Sequence, residues 1–152
     1  MSEPNFIYVT YIRATPERVW NGLLDAKFTR QYWAHENVSN WKPGSSWEHR
    51  RLDDERTLDL VGEVVESTPP RRLVLTWADP ADKANRVKHS RVTFELEPIE
   101  DMVRLTVTHE ELGAGSEMLR KVGEGWPRVL SSLKSLLETG KPLPTWAKAK
   151  SS

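Results

Sequence analysis

The last third of the chain contains one long amphipathic stripe, and no other segment offers so large a continuous apolar surface. Apolar side chains recur there every three or four residues, as on one face of a helix: Leu119, Val122, Trp126, Val129, Leu130, Leu133, Leu136 and Leu137. Gly123, Gly125 and Pro127 interrupt its first turns, and proline destabilises a helix interior. We therefore predict a firm helix over 124–139, preceded by a looser turn over 116–122.

Period-2 alternation marks the middle of the chain as strand. It is clearest over 90–97 and 102–110, where apolar and polar residues alternate. Strands with one dry and one wet face are typical of an antiparallel sheet. Four shorter strands are predicted before these two, over 37–41, 46–51, 58–66 and 72–78. Gly62 lies inside the third of these four, and a glycine within a strand predicts a bulge or a bend.

The N-terminal segment predicts a strand followed by two short helices. Residues 6–13 are rich in β-branched and aromatic side chains, which favour a strand. Thr15 can accept a hydrogen bond as an N-cap and Pro16 suits the first helical position, so a helix is predicted from there to about Leu24. A second short helix or turn is predicted over 27–33.

The predicted order is thus a strand, two helices, six strands and a long helix, with a polar loop over 79–88. Sequential antiparallel strands form one sheet with one dry face, and only the final helix is long and apolar enough to cover that face. A curved sheet fits a straight helix well at its centre and poorly at its ends. We therefore expect a cavity between the helix and the sheet.

Several short motifs follow one another in an order that resembles a known family. They are residues 14–20 (ATPERVW), 28–33 (FTRQYW), 62–66 (GEVVE), 69–73 (PPRRL), 76–77 (TW), 91–94 (RVTF), 105–109 (LTVTH), 125–127 (GWP) and 136–140 (LLETG). This set resembles the helix-grip fold of the START-like (SRPBCC) superfamily, shared with polyketide cyclases and the major birch-pollen allergen. More closely, it resembles bacterial proteins similar to the C-terminal domain of the activator of heat-shock protein 90 ATPase.

The resemblance implies an α+β fold in which a curved antiparallel sheet surrounds a long C-terminal helix. It implies a single START-like domain over residues 1–140. The remaining residues, 141–152, follow the predicted helix and are expected to form a flexible tail. Because one fold of this kind supports many activities, the resemblance specifies the architecture better than the function.

The composition argues against several classes of function. The 152 residues contain no cysteine, which excludes disulfides, thiolate metal sites and a cysteine nucleophile. Lys plus Arg (22) equals Asp plus Glu (22), without the basic excess typical of nucleic-acid binding. The four histidines lack the spacing of a metal motif, so we predict neither a metal nor a cofactor. No run approaches the ~20 apolar residues of a membrane span, and with no secretory signal in view we expect a cytoplasmic protein.

The seven tryptophans are many for a chain of this length, and large aromatic side chains suit a big core or a cavity wall. His109 continues the dry face of its strand and should point towards the helix. It is either a buried imidazole held by hydrogen bonds, or a polar anchor for a ligand, or a general base. We predict that the cavity is lined by Trp33, Trp41, Trp47, Trp77, Phe94, Leu105, His109, Trp126, Leu130 and Leu133.

These residues leave three functions open. The first is the binding of a small hydrophobic or amphipathic molecule, such as a lipid or a polyketide, in the cavity. The second, which the resemblance implies, is a co-chaperone-like interaction with a heat-shock protein 90 family chaperone in the stress response. The third is a cyclase- or hydrolase-like enzyme that uses His109 with a carboxylate such as Glu48 or Glu63. We predict the first and assign no catalytic residue, because no motif carries a catalytic signature.

Overall fold

A computed structural model of the chain describes the backbone of residues 4–111 and 117–143, and the side chains of residues 6–111 and 120–143. Most of the predicted tail, 144–152, lies outside the described residues. The first strand, β1, spans Pro4–Ile12 and is followed by helices α1 (Pro16–Leu24) and α2 (Ala26–Tyr32). As predicted, Thr15 caps α1: its hydroxyl accepts a hydrogen bond from the backbone N–H of Arg18 at 3.2 Å.

Six further strands complete one antiparallel sheet. They are β2 (His35–Val38), β3 (Ser46–Arg51), β4 (Leu58–Thr68), β5 (Arg72–Trp77), β6 (Ser90–Ile99) and β7 (Met102–Glu110). The spatial order is β1-β7-β6-β5-β4-β3-β2, so the first strand closes against the last and β2 forms the opposite edge. The sheet is strongly curled around the C-terminal helix. This arrangement confirms the predicted helix-grip architecture.

The C-terminal helix, α3, spans Glu117–Thr139 without a break, so it begins earlier than predicted and contains Pro127 in its interior. Proline removes one helical hydrogen bond. The apolar stripe nevertheless continues past the proline. Val122 and Trp126 before it are buried, and so are the apolar residues Val129, Leu130 and Leu133 after it. Packing of an amphipathic face stabilises a helix more than local propensity does, and here it outweighs the proline. No helix in the described part of the chain combines the length and apolar character needed to cross a bilayer.

The loop predicted over 79–88 contains two single-turn 3-10 helices, Pro80–Asp82 and Arg86–Lys88. Asp79 starts the first of them, since its carboxylate accepts a hydrogen bond from the backbone N–H of Ala81 at 3.0 Å. Short polar side chains that bond to nearby backbone groups form such turns without any apolar period. This explains why a hydrophobic pattern alone did not predict them.

Gly62 lies in a regular stretch of β4, and the bulge predicted there is found elsewhere in the strand. Its neighbour across the sheet is Trp47 of β3. The indole N–H of Trp47 crosses above the glycine and donates to the carbonyl oxygen of Thr76 at 2.8 Å. A Cβ atom on Gly62 would lie 1.9 Å from that same oxygen, so the position requires glycine for close approach.

The core fills the space between α3, the short helices and the concave face of the sheet. Its centre is completely buried, and the side chains there include Leu73, Leu105, Val107, Leu130 and Leu133. The two short helices close one side, where the Tyr32 hydroxyl donates to the carbonyl oxygen of Gly22 at 2.7 Å. Burial raises the pKa of Tyr32, so this phenol remains a neutral donor.

Candidate ligand-binding site

A cleft of about 410 Å³ opens between the N-terminal half of α3 and the strands β4 and β5. Its wall consists of aromatic and aliphatic side chains, and charged side chains surround its mouth. The lining residues are Trp33, Arg51, Asp59, Leu60, Trp77, Asp79, Lys121, Val122, Gly125, Trp126 and Val129. Apolar walls with a few polar groups at fixed positions are the usual make-up of a small-molecule site.

Three indole rings form the flat surfaces of the cleft. Trp126 of α3 lies between the other two, with its ring centroid 5.7 Å from that of Trp33 and 5.4 Å from that of Trp77. Both pairs are tilted, by 58° and 50°. Because each ring also contacts further aromatic neighbours, such as His49 beside Trp33 and Trp47 beside Trp77, the walls are held firmly.

A β-bulge brings two consecutive residues of β4 to the cleft. The pairing of β3 with β4 shifts between His49 and Arg50, which face Leu60 and Leu58, so Asp59 is the extra residue. In a regular strand, consecutive side chains point to opposite faces. The bulge changes this direction locally, and Asp59 and Leu60 both line the cleft.

The carboxylate of Asp59 is already bonded to two side chains. The Nε of Arg51 donates to both of its oxygens at 2.9 Å, and Nε2 of His35 lies 2.8 Å from Oδ2. Partial burial raises the pKa of Asp59, but the hydrogen bonds from Arg51 and His35 outweigh this effect and leave its pKa below the ordinary value. Asp59 is therefore ionised at neutral pH.

His35 is bonded at both ring nitrogens to oxygen atoms that can only accept. Its Nδ1 lies 3.0 Å from the carbonyl oxygen of Trp33, and its Nε2 faces the Asp59 carboxylate. Both ring nitrogens of His35 are thus engaged by neighbouring oxygen atoms. His49 stacks on it with centroids 4.2 Å apart, and burial first, then the charge of His35, hold the pKa of His49 well below its usual range.

His109 lies at the centre of a fully satisfied chain of hydrogen bonds. The indole N–H of Trp126 donates to its Nδ1 at 3.2 Å, so its proton is on Nε2, which donates to the Ser90 hydroxyl at 2.7 Å. Ser90 in turn donates to the carbonyl oxygen of Trp77 at 3.1 Å. Burial lowers the pKa of His109 to about 3, so the ring is neutral. The chain ties α3 to β5, β6 and β7.

This arrangement gives His109 no free nitrogen with which to accept a proton. The two carboxylates considered as its catalytic partners are bonded elsewhere: Glu48 pairs with Arg50 at 2.9 Å and Glu63 with Arg86 at 2.6 Å. A general base must reach the proton that it abstracts through an available lone pair. The hydrogen bonding of His109 therefore fits the first of its three interpretations, a buried and satisfied imidazole.

Three of the ten residues predicted to line the cavity do line the cleft: Trp33, Trp77 and Trp126. Six others are buried beside or beneath them in the core, namely Trp47, Phe94, Leu105, His109, Leu130 and Leu133. Trp41 is partly buried and packs against the edge of the core. The charged residues of the mouth are absent from the prediction, because they come from separate segments and lie beside one another only after folding and after the bulge at Asp59.

Two polar side-chain atoms in the described part of the chain are buried without a hydrogen-bond partner: the hydroxyl of Thr29 and the indole N–H of Trp77. An unsatisfied buried donor destabilises a protein by about 1–3 kcal/mol. Trp77 is only 6% exposed, yet its ring lines the cleft. Within the described ranges, no three His, Asp or Glu side chains are grouped closely enough to bind a metal ion.

The sequence model of the family described as Activator of Hsp90 ATPase homolog 1-like protein matches residues 13–138, most of the chain. The chain belongs to this family. Its Activator of Hsp90 ATPase homolog 1-like region thus includes both short helices, the cleft and almost all of α3. A search of curated proteins gives no match.

Solved structures agree with this family assignment at the level of the fold. The solution structure of the Aha1 dimer from Colwellia psychrerythraea is similar, with a TM-score of 0.73 and 20% identity over 93% of this chain and 98% of that one. CalU16 from Micromonospora echinospora gives a TM-score of 0.70 with 22% identity, over 95% and 80% of the two chains. An HSP90 activator from Plasmodium falciparum gives 0.70 with 24% identity, over 90% and 96%.

Proposed function

We propose that this protein binds a small hydrophobic or amphipathic molecule in the cleft between α3 and the sheet. The observation that carries the proposal is an open space of about 410 Å³ walled by three indole rings, between the C-terminal helix and the sheet. Aromatic side chains offer large apolar area at fixed positions, and the satisfied chain through His109 keeps two of them in place. Binding without catalysis also agrees with the absence of a free nitrogen on His109.

Filling the cleft from the helix side tests this proposal. Gly125 lines the cleft, and a Cβ atom added there meets no atom within 4 Å. We expect Gly125→Leu to occupy the space and to weaken binding of phenylnaphthylamine, an uncharged aromatic probe, at least tenfold. Probe fluorescence measures the affinity, and chemical shifts of the indole N–H groups of Trp77 and Trp126 report the location.

The matched control is Gly123→Leu, two residues earlier on the same helix. Gly123 also has open space around its Cα, but it does not line the cleft. This variant should bind the probe as the parent protein does. Equal affinity for the probe in all three proteins, or indole N–H chemical shifts that the probe leaves unchanged, would exclude the proposed function.

A second candidate function is docking on a heat-shock protein 90 family chaperone. It is supported by the family and by one surface feature: Ile7, Val9 and Tyr11 are 55%, 46% and 43% exposed in a row on β1. Alternate residues of a strand share one face, so these three form an apolar ridge. Exposed apolar patches of this kind mark interaction sites.

The docking candidate predicts a change in chaperone ATPase rate that depends on this ridge. We expect Val9→Ser to abolish stimulation of a bacterial heat-shock protein 90 family ATPase. Val65→Ser is the control, because Val65 is similarly exposed, at 42%, but lies on β4. If the parent protein leaves the ATPase rate unchanged and forms no complex at tens of micromolar, this candidate is excluded.

A further inference from the structure

Two hydrogen-bond donors at the cleft have no partner among the described residues. The indole N–H of Trp77 is buried and unpartnered. Lys121 lines the cleft, and among the described residues no hydrogen bond or ion pair engages its ammonium group. Glu124, the carboxylate nearest to it along the described part of α3, bonds to Arg120. A molecule that completes the cleft must therefore supply acceptors.

The two carboxylates at the mouth do not provide those acceptors. Asp59 is bonded to Arg51 and His35. Asp79 bonds through Oδ1 to the backbone of its own turn, at Ala81. Of the two cations that line the cleft, Arg51 is paired with Asp59, whereas none of the described residues engages Lys121.

We infer that the occupant of the cleft is a flat aromatic compound that carries an acidic group, with its ring system between the indoles and its acid on Lys121. This inference rests on the proposed function and adds the chemical class of the ligand. The flat surfaces of Trp33, Trp77 and Trp126 favour an aromatic body, since aromatic rings pair well in tilted and offset arrangements. A carboxylate, a sulfonate or a phenolate would serve equally as the acid, because each offers a charged acceptor to an ammonium group.

Position along α3 agrees with this orientation. Lys121 precedes Gly125 by four residues, so the two lie on the same helix face about 6 Å apart along the axis. The acid would therefore lie one helical turn away from the part of the ring system that contacts Gly125 and Trp126.

Two probes that differ by a single acidic group test the inference. Anilinonaphthalene sulfonate is phenylnaphthylamine with an added sulfonate, so the pair isolates the charge. We expect the sulfonate to bind the parent protein at least tenfold more tightly than the uncharged probe. Lys121→Met keeps the aliphatic stem and should bring the ratio of the two affinities close to one. Raising the ionic strength should reduce the preference in the parent protein, because salt screens exposed charges.

Lys42→Met is the matched control, since Lys42 is an exposed lysine that does not line the cleft. Circular dichroism establishes that each variant is folded. Equal affinity of the two probes in the parent protein would overturn the inference while leaving the proposed function intact. A preference for the sulfonate that survives in Lys121→Met would overturn it as well. If Gly125→Leu weakens the binding of neither probe, the proposed function itself fails.

Discussion

The two halves of α3 meet the rest of the molecule differently. Towards the C-terminal end, Leu130 and Leu133 are fully buried, and Leu133 lies so close to α1 that a Cβ on Gly22 would be 2.9 Å from its Cδ1. Towards the N-terminal end, Val122 and Trp126 border the open cleft. One apolar stripe thus serves as core along part of its length and as a cavity wall along the rest. Hydrophobic periodicity does not distinguish the two roles.

The largest effect is expected in the sheet, at Gly62 of β4. In Gly62→Ala the new methyl group would lie 1.9 Å from the carbonyl oxygen of Thr76, and a backbone atom cannot move aside easily. We expect a loss of about 4 kcal/mol in the free energy of unfolding, measured by urea denaturation. Gly123→Ala, in open space on α3, should instead stabilise the protein by up to ~1 kcal/mol. A small loss of unfolding free energy in Gly62→Ala would show that the contact of Gly62 with Thr76 is looser than described.

Acid should lower the free energy of unfolding through His109. The unfolded ring binds its proton near pH 6.5, whereas the folded ring does so only near pH 3, because burial lowers its pKa. Between these values the unfolded state holds more protons, so stability decreases as the pH falls through this window. The contribution of His109 should shrink by about 3 kcal/mol between pH 7 and pH 4.

Comparison with His109→Gln isolates this effect, since the titration of His49 is common to both proteins. The difference in unfolding free energy between the parent and the variant should decrease as the pH falls. A difference that stays constant from pH 7 to pH 4 would mean that the folded ring is already protonated or is exposed to water.

Truncation of adjacent residues on α3 measures the contrast directly. Leu130 is completely buried, whereas its neighbour Val129 borders the cleft. We expect Leu130→Ala to destabilise the protein by about 3 kcal/mol and Val129→Ala by about 1 kcal/mol. The additional methylene of leucine accounts for only ~0.8 kcal/mol of this difference. Equal losses of unfolding free energy per removed carbon, in thermal or urea unfolding, would indicate that the core side and the cleft side of α3 are equally well packed.

The smallest effect concerns the two kinds of buried indole. The N–H of Trp47 has an acceptor in the Thr76 carbonyl, whereas that of Trp77 has none. Trp47→Phe removes a hydrogen bond together with ring area, but Trp77→Phe removes ring area and an unsatisfied donor. We expect Trp47→Phe to be more destabilising by about 1 kcal/mol. The reverse order would imply that the N–H of Trp77 is solvated, and unfolding measurements on both variants distinguish the two cases.

The sequence predicted the architecture well, because its patterns act locally. Alternation placed β7 over Met102–Glu110 as observed, and the Thr15–Pro16 pair marked the start of α1. The start of α3 was placed too late because glycine and proline were weighed as local breakers, whereas packing against the sheet decides that end of the helix.

The cleft could be predicted only in part. Its indole walls follow from the tryptophan content and the expected mismatch between sheet and helix. The charged mouth could not be predicted. In a regular strand, the side chain of Asp59 would point to the sheet face opposite that of Leu58 and Leu60. Only the bulge brings Asp59 and Leu60 to the same cleft. Bulges depend on pairing between strands, which a reading of single segments does not contain.

Trp77 contributes both to the wall of the cleft and to the hydrogen-bonded chain beside it, and this restrains the shape of the cleft. Its ring borders the cleft, while its carbonyl oxygen ends the hydrogen-bonded chain that starts at Trp126. Two of the three walls are therefore fastened to each other through an imidazole and cannot part without breaking that link. Under the proposed function, this restraint selects ligands by their shape at the base of the cleft and permits chemical variety only at its mouth.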